Sequence, residues 1–289
     1  MELAAPLIRL LLYGGAALAI GRGTLTVLAP DVNGASTDPR AVRVSLWLAA
    51  LALVMAPLAL LLQQQQALEL TTAELPGLLR ETTWGRGWMP LALMCVLSAI
   101  LLPMSHMRSR TRSRTRSRTR AGSWTLLLVA LGVAAAMGGL GHAAADDEWP
   151  LASRVFDALH VVGVGAWIGG LTLMLLAGAG TAVPSAGEWR AFSRIATVMA
   201  PVVLLSGVGS TWRRVGGNGP MAILVSDYGK LLLLKIVLAL AVMAMGFTQR
   251  RRIAAGQTPS RTVVLREVVL AAVVLAATAW MTGTEPPGE

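Results

Sequence analysis

The stretch VRVSLWLAALALVMAPLALLL (residues 42–62) holds one charged side chain, Arg43, among mostly apolar residues. A helix of about 20 mainly apolar residues is long enough to cross the hydrocarbon core of a bilayer. Eight segments of the chain have this character, at residues 5–29, 42–62, 87–104, 123–145, 154–180, 191–211, 229–249 and 263–282. The sequence therefore predicts an all-α polytopic membrane protein, built as a bundle of about eight transmembrane helices.

The amino-acid composition excludes an ordinary water-soluble globular protein. Of the 289 residues, 55% are hydrophobic and 14% are charged, whereas soluble domains average about 25% charged residues. The single cysteine, Cys95, excludes a disulfide framework and a CxxC metal or redox pair. No P-loop, Ser-His-acid or HExxH pattern is present. We therefore expect a bilayer as the surroundings of the chain and predict that it is not an enzyme.

Most of the basic charge lies in one repeat, RSRTRSRTRSRTR, at residues 108–120. Its seven arginines leave only +3 of the net charge of +10 to the rest of the chain. The repeat has no apolar residue, so it cannot bury a core and is predicted to be disordered. It also has no aromatic residue to stack on bases, so no nucleic-acid partner is expected. We interpret it as a topology anchor, the alternative being a site for RNA or anionic lipid.

The repeat also divides the chain and orients it. The predicted parts are an N-terminal three-helix membrane part (1–104), the Arg-rich loop (105–122) and a C-terminal five-helix membrane part (123–289). Basic loops remain in the cytoplasm, so both termini are predicted on the opposite, outer side. The loop 63–86 also lies outside, and its leucines predict a short helix on the membrane surface.

Two histidines lie inside predicted spans near the outer face. An ionisable residue within a span costs about 2.5–3.5 kcal/mol on insertion scales, so each needs a partner or a function. His142 lies about one turn from the outer end of the fourth span and His160 about two turns inside the fifth, and only residues 146–153 join the two helices. Such helices are antiparallel neighbours, so the two imidazoles are expected to converge. The alternative for each histidine is an interhelical hydrogen bond.

Converging imidazoles suit a transition metal, and a methionine thioether favours copper(I). The candidate metal ligands are His142, His160, Met137 and Met174. The run Asp146-Asp147-Glu148 follows His142 on the outer side and is predicted to attract incoming cations.

The fifth span carries a polar stripe and a pair of small residues. Asp157, His160, Trp167 and Met174 lie near one face of the helix. Asp157, one turn from His160, is predicted to hold its second ring nitrogen, as carboxylates orient ligating imidazoles. Gly165 and Gly169 are four residues apart, which is the spacing of small residues at close helix contacts. They predict that the backbone of a neighbouring helix approaches this span closely.

The other buried charges are sorted by depth. Arg22 and Glu267 both lie near the inner face, so a salt bridge between them is predicted, with Arg266 as a competing partner for the carboxylate. Lys235 lies at a depth similar to that of His160. It either neutralises Asp157 or stands beside an ion pathway. His106 is interpreted as a loop residue, the alternative being a metal exit site.

Several motifs occur in an order that resembles the copper resistance protein D (CopD/PcoD) family over about residues 139–287. They are Gly141-His142-Ala143, Leu159-His160, Ala166-Trp167-Ile-Gly169-Gly170, Phe192-Ser-Arg194, Ser206-Gly207, Tyr228-Gly229-Lys230-Leu-Leu-Leu-Leu-Lys235, Glu267 and Thr284-Glu-Pro286-Pro287. The first three spans resemble the family only as apolar helices with Arg9 in the first.

The resemblance implies a multi-pass protein of the bacterial inner membrane that handles copper. It further implies a periplasmic copper-binding partner of the CopC type, here a separate chain, and movement of copper inward. His142 and His160 are then the family's histidines, and Lys235 and Glu267 its intramembrane charges. Two other hypotheses stay open: a redox protein with haem held between the two histidines, and a scaffold that docks a periplasmic copper chaperone.

Overall fold

The computed structural model describes residues 3–30, 39–110, 116–140, 150–179, 184–215 and 226–282, and the structural statements below concern these residues. They form helices and turns without a strand. The helices are α1 (Ala4–Leu28), α2 (Pro39–Ala67), α3 (Leu75–Glu81), α4 (Thr83–Arg110), α5 (Arg116–Met137), α6 (Pro150–Ala177), α7 (Ala186–Val215), α8 (Asp227–Ala254) and α9 (Arg261–Met281).

The predicted all-α membrane fold is confirmed. Seven of the described helices, all except α3 and α5, are long and apolar enough to cross a membrane. The apolar part of α5, Ala121–Met137, reaches about 25 Å at 1.5 Å per residue, which lies at the short end of the range for a spanning helix. Each of the eight predicted spans therefore corresponds to a helix.

The first helix lies at the centre of the bundle. Its Leu12, Ala16, Ala19 and Ile20 are buried, and α1 contacts α2, α5, α6 and α9. Helices from both sides of the Arg-rich loop therefore share one hydrophobic core, although the division into three parts stays a prediction.

A π-helical turn, Gly165–Gly169, interrupts α6 where it meets α1. All five residues of the turn are buried, and the backbone of Gly169 lies directly against the Ala17 carbonyl and against Gly21. The prediction that Gly165 and Gly169 admit a neighbouring backbone is confirmed for Gly169, whose neighbour is the α1 backbone. Gly165 instead makes room for the Ile20 side chain of α1. Single π-turns within α-helices are frequent at functional sites, and this one carries Trp167.

The structure corrects the predicted disorder of the Arg-rich repeat at its two ends. Helix α4 continues through His106 to Arg110, so the interpretation of His106 as a loop residue is wrong, and α5 begins at Arg116. Residues 111–115 lie outside the described residues. Arginine is a good helix former, and extending an existing helix needs no new nucleus. The apolar spans therefore propagate helix into the repeat.

The short helix predicted in the loop 63–86 is present as α3, and its position on the membrane surface stays a prediction. A 3₁₀ turn, Thr72–Glu74, precedes α3 and begins with a capping box. The Thr71 backbone N–H and hydroxyl donate to Glu74 Oε2 at 2.8 and 2.7 Å. These two hydrogen bonds stabilise the charged carboxylate and hold the pKa of Glu74 below its usual range.

The pH dependence of this cap is predictable. Because the folded pKa of Glu74 is lowered, the cap is fully formed above the ordinary pKa of a glutamate and is lost as the pH falls through the lower, folded value. We expect the Thr71 amide to lose protection in that acidic window. Hydrogen exchange with mass spectrometry measures this loss, and Thr71→Val should shift its midpoint to higher pH. An unshifted midpoint in Thr71→Val would contradict the capping role.

Candidate functional site

A cavity of about 550 Å³ opens at one end of the bundle. Its lining residues come from the starts of α1, α4, α6 and α8 and from the ends of α2, α5, α7 and α9. Since starts and ends alternate along the chain, consecutive long helices run antiparallel and meet at one face. From Arg9 to Ala17, both of which line it, the cavity extends about 12 Å along α1.

Five of the predicted site residues line this one cavity: Asp157, His160, Trp167, Lys235 and Met137. They come from three helices, so the tertiary structure joins residues that are up to about a hundred positions apart in the sequence. Their roles as metal ligands or pathway residues stay predictions.

The remaining predicted residues fall into three groups. Arg22 and Glu267 are buried and do not line the cavity. Met174 is 1% exposed in the hydrophobic core and does not line the cavity. His142 and the run Asp146-Asp147-Glu148 lie outside the described residues. The described part therefore shows one of the two predicted imidazoles.

The His160 ring is oriented by α7. Its Nδ1 lies 3.1 Å from the Val203 carbonyl oxygen and 3.3 Å from Ser206 Oγ. A carbonyl oxygen only accepts hydrogen bonds, so Nδ1 carries the proton and donates. In the neutral imidazole the lone pair is then on Nε2, the tautomer that a metal ligand requires. A Cβ at Gly207 would lie 3.2 Å from His160 Cε1, so this glycine makes room for the ring.

These contacts correct the predicted role of Asp157. The nitrogen that Asp157 was expected to hold is bound by Val203 and Ser206 instead, and Asp157 Oδ1 accepts a hydrogen bond from Ser210 Oγ at 2.7 Å. The helical spacing within α6 places Asp157 near His160 but contains no information about α7. The close approach of α7, at Gly163 and Gly207, brings the Val203 carbonyl within 3.1 Å of the ring nitrogen.

Trp167 separates the cavity from a buried carboxyl group. The Trp167 side chain hydrogen-bonds Glu267 of α9, and the two residues are 6% and 2% exposed. Gly246 of α8 lies against both, because a Cβ there would be 3.0 Å from the indole and 3.3 Å from Glu267 Oε1. The inner wall of the cavity is therefore an indole with an acidic group behind it.

The predicted salt bridge between Arg22 and Glu267 is wrong. Arg22 donates to the Ser105 side chain at 3.1 Å and to the Ser105 carbonyl at 3.2 Å, while Glu267 is bonded to Trp167. Both charges are buried as predicted. Depth in the membrane can be estimated from sequence, but the lateral position of each helix depends on packing, which directs Arg22 toward α4 and Glu267 toward α6.

Sequence reasoning missed part of the cavity. Arg9 and Tyr13 of α1 line it, and Tyr13 donates a 3.4 Å hydrogen bond to Thr282 at the end of α9. The available signal was a charged residue, Arg9, one turn before a tyrosine within an apolar span. Ser210, the partner of Asp157, had no such signal because isolated serines are common in membrane helices.

The donor set in the described residues is sparse. No group of three or more His, Cys, Asp or Glu side chains suited to a metal occurs among them. His160, Asp157 and Met137 line the cavity as an imidazole, a carboxylate and a thioether. That mixture is compatible with copper, and within the described part it has fewer ligands than a closed structural metal site.

Two family models match the chain. The model of the copper resistance protein D-like N-terminal domain matches residues 1–153, and that of copper resistance protein D matches residues 186–281. The chain belongs to the copper resistance protein D family. The N-terminal match corrects the expectation that the first three spans resemble the family only as apolar helices. No curated protein matches the chain, and no solved structure does.

Membership in this family gives the cavity its context. The chain is a membrane protein of a copper resistance family, and several of the residues by which its sequence resembles that family lie at or beside this cavity. Ser206-Gly207 orients His160, Gly165 and Gly169 seat α6 on α1, and Lys235 lines the cavity from α8.

Proposed function

We propose that this chain is a copper transport protein of the bacterial inner membrane that receives copper at the periplasmic face and passes it toward the cytoplasm. Family membership supports the link to copper resistance. The orientation follows from the Arg-rich repeat, which joins α4 and α5 at the bundle end opposite the cavity. With that repeat in the cytoplasm, both termini are periplasmic and the cavity faces the periplasm.

One observation carries this proposal: His160 lines the cavity with Nδ1 bonded to the Val203 carbonyl. This bond is also the interhelical hydrogen bond predicted as the alternative to metal binding, and it fixes the tautomer whose lone pair lies on Nε2. The outer hydrogen bonds of metal-binding histidines fix the ring in the same way.

In the proposed pathway, copper is the cargo and its ligands are spaced along the bundle. Asp157 supplies negative charge, and Met137 supplies a soft thioether in the same cavity as His160. His142 is the second proposed imidazole, with Asp146, Asp147 and Glu148 attracting cations outside it. Met174 is proposed as a later ligand beyond Trp167.

Two further groups complete this proposal. Trp167 with Glu267 forms the inner wall, which copper has to pass. Arg22 lies near the cytoplasmic end, bonded to Ser105. None of these side chains is proposed to react chemically. We therefore propose that the protein is a carrier and not an enzyme.

A separate periplasmic copper chaperone of the CopC type is the proposed donor. The cavity mouth includes Gln63, Gln64 and Trp84, a polar and aromatic rim suited to a transient contact. Docking without transport is the scaffold hypothesis. It predicts that copper stays bound to the donor when the two chains meet.

The experiment that tests the function uses the full chain in proteoliposomes. We expect uptake of radioactive copper into vesicles loaded with a copper chelator, well above the level of protein-free vesicles. A visible spectrum of the same preparation tests the haem hypothesis. A Soret band with about one iron per chain would replace copper transport by a redox function, and absence of uptake with retained chaperone binding would favour the scaffold.

A further inference from the structure

A second group of polar side chains lies on the inner side of Trp167. On α8 and α9 the innermost residues that line the cavity are Met243 and Ala271. About one helical turn further in, a Cβ at Gly246 would lie 3.3 Å from Glu267 Oε1. The Glu267 carboxyl group is therefore packed against α8, beyond the floor of the cavity.

Glu267 is a buried carboxyl group that accepts a hydrogen bond from the Trp167 side chain. In the described part of the chain it forms no ion pair. The charged form of such a group is costly in a low-dielectric interior, and a bound proton removes that cost. The protonated group has an O–H to donate, and the indole N–H of Trp167 cannot accept it because it only donates. The acceptor for this proton has to lie on another side of the carboxyl group.

Gln249 lies on α8 about one turn beyond Gly246. It is 6% exposed, and neither atom of its amide has a hydrogen-bond partner among the described residues. Side chains on a helix lean toward its N-terminus, so the amide is directed back toward Gly246 and Glu267. Since Cβ positions three residues apart are about 5–6 Å from each other, one small molecule can bridge the amide and the carboxyl group.

The chemistry of the unpaired groups selects water as that molecule. A metal ion would bind the amide oxygen of Gln249 and leave both N–H donors unpaired, whereas water accepts from the nitrogen and donates to the oxygen. Trp189 of α7 is 4% exposed, and its indole N–H also lacks a partner in the described part of the chain. Both residues lie within about two turns of the inner ends of their helices. Buried water typically satisfies polar groups of this kind.

We propose that Glu267 is a proton-binding site that exchanges its proton with the inner face of the bundle through water held at Gln249. In this exchange the carboxyl O–H bond breaks, the bridging water takes the proton, and a proton from the inner face returns to the carboxylate by the same route. The charged form places a negative charge directly behind Trp167, and the neutral form does not. The inference goes beyond the proposed function and does not depend on copper binding.

Other titratable groups on the helices packed against α9 lie apart from this site. Those helices are α1, α6 and α8. Arg22 of α1 is bonded to Ser105 of α4, and Arg266 on α9 itself is exposed. The remaining buried or partly buried ones in the described residues line the cavity, on the outer side of Trp167: Arg9, Tyr13, Asp157, His160, Tyr228 and Lys235. Substitution of Glu267 therefore separates its titration from theirs.

Infrared difference spectroscopy of the full chain in copper-free nanodiscs tests the proton site. We expect a C=O stretching band of a protonated carboxyl group that disappears at high pH, shifts in D₂O and is absent from Glu267→Gln. Glu81→Gln, at an exposed glutamate at the end of α3, is the control and should keep the band. Glu267→Asp retains a carboxyl group and should give the band at a changed frequency.

Gln249→Leu tests the route of the proton. Leucine removes both hydrogen-bonding groups of the amide, so the shift of the Glu267 band in D₂O should slow by about tenfold or more, the range of a lost buried hydrogen bond. Gln249→Met also lacks the amide and should slow the shift to a similar extent. The control is Gln257→Leu, in the exposed turn after α8, which should leave the rate unchanged.

Each outcome either supports or contradicts the inference. A spectrum without a Glu267-dependent band at any pH would overturn the proton site. An unchanged rate in Gln249→Leu, together with higher thermal stability, would show a buried amide without a water route and would overturn the path to the inner face. Because these measurements contain no copper, neither result decides copper transport, which the uptake experiment tests separately.

Discussion

His160→Ala in proteoliposomes should reduce copper uptake to the level of protein-free vesicles, a loss of at least about 100-fold. The substitution removes the one imidazole in the described part of the cavity, and Val203 and Ser206 then have no ring to orient. Losing a metal ligand removes more affinity than losing the residues that orient it, which costs about 10- to 100-fold. Uptake of radioactive copper over time is the measurement.

Two variants control for damage to the fold. Ser206→Ala removes one of the two hydrogen-bond partners of Nδ1 but keeps the Val203 carbonyl, so uptake should fall by about tenfold at most. His106→Ala removes an imidazole near the end of α4, at the opposite end of the bundle from the cavity, and should leave uptake unchanged. If the folded His160→Ala protein transported copper at the wild-type rate, the proposed site would be incorrect.

Gly21→Ala should destabilise the bundle severely. A Cβ at Gly21 would overlap the backbone of Gly169 and would lie 2.5 Å from the Gly170 nitrogen. Backbone atoms cannot rotate aside as a side chain can, so α1 and the π-turn of α6 have to separate. Overpacking costs about 1–3 kcal/mol where side chains can adjust, and we expect a cost at or above the upper end here. Thermal unfolding in detergent measures it.

The same helix provides the control. Gly14 has no atom within 4 Å of a Cβ built on it, so Gly14→Ala adds a methyl group to open space. We expect an unfolding temperature equal to that of the wild type or slightly higher, since alanine is the better helix former. Equal destabilisation by both substitutions would show that glycine flexibility, and not close packing, matters in α1.

The spans were predictable because the bilayer imposes a strong rule on sequence. Backbone polar groups cannot remain unpaired in hydrocarbon, so an apolar stretch of sufficient length has to be helical. Residues 42–62 illustrate this rule, and the structure contains α2 across them. The Arg-rich repeat shows its limit: low apolar content predicts disorder, but the adjoining spans extend helix to Arg110 and from Arg116.

The candidate site was predictable in its members but not in its contacts. The energetic cost of charge in a membrane singled out Asp157, His160 and Lys235, and all three line the cavity. The hydrogen-bond partners of His160 and Asp157 were not predictable. Val203, Ser206 and Ser210 lie more than forty residues further along the chain and have no unusual chemistry of their own.

The amino-acid sequence by itself determined that this protein is a helical membrane bundle and which few polar residues within it need an explanation. Both conclusions follow from transfer energies, which belong to single residues and short segments. Only the tertiary structure decided that α7 holds His160, that Arg22 bonds Ser105, and that Arg9 joins the cavity. Those contacts depend on how helices rotate and approach one another, and in lipid that is decided by close packing at glycines such as Gly21 and Gly207.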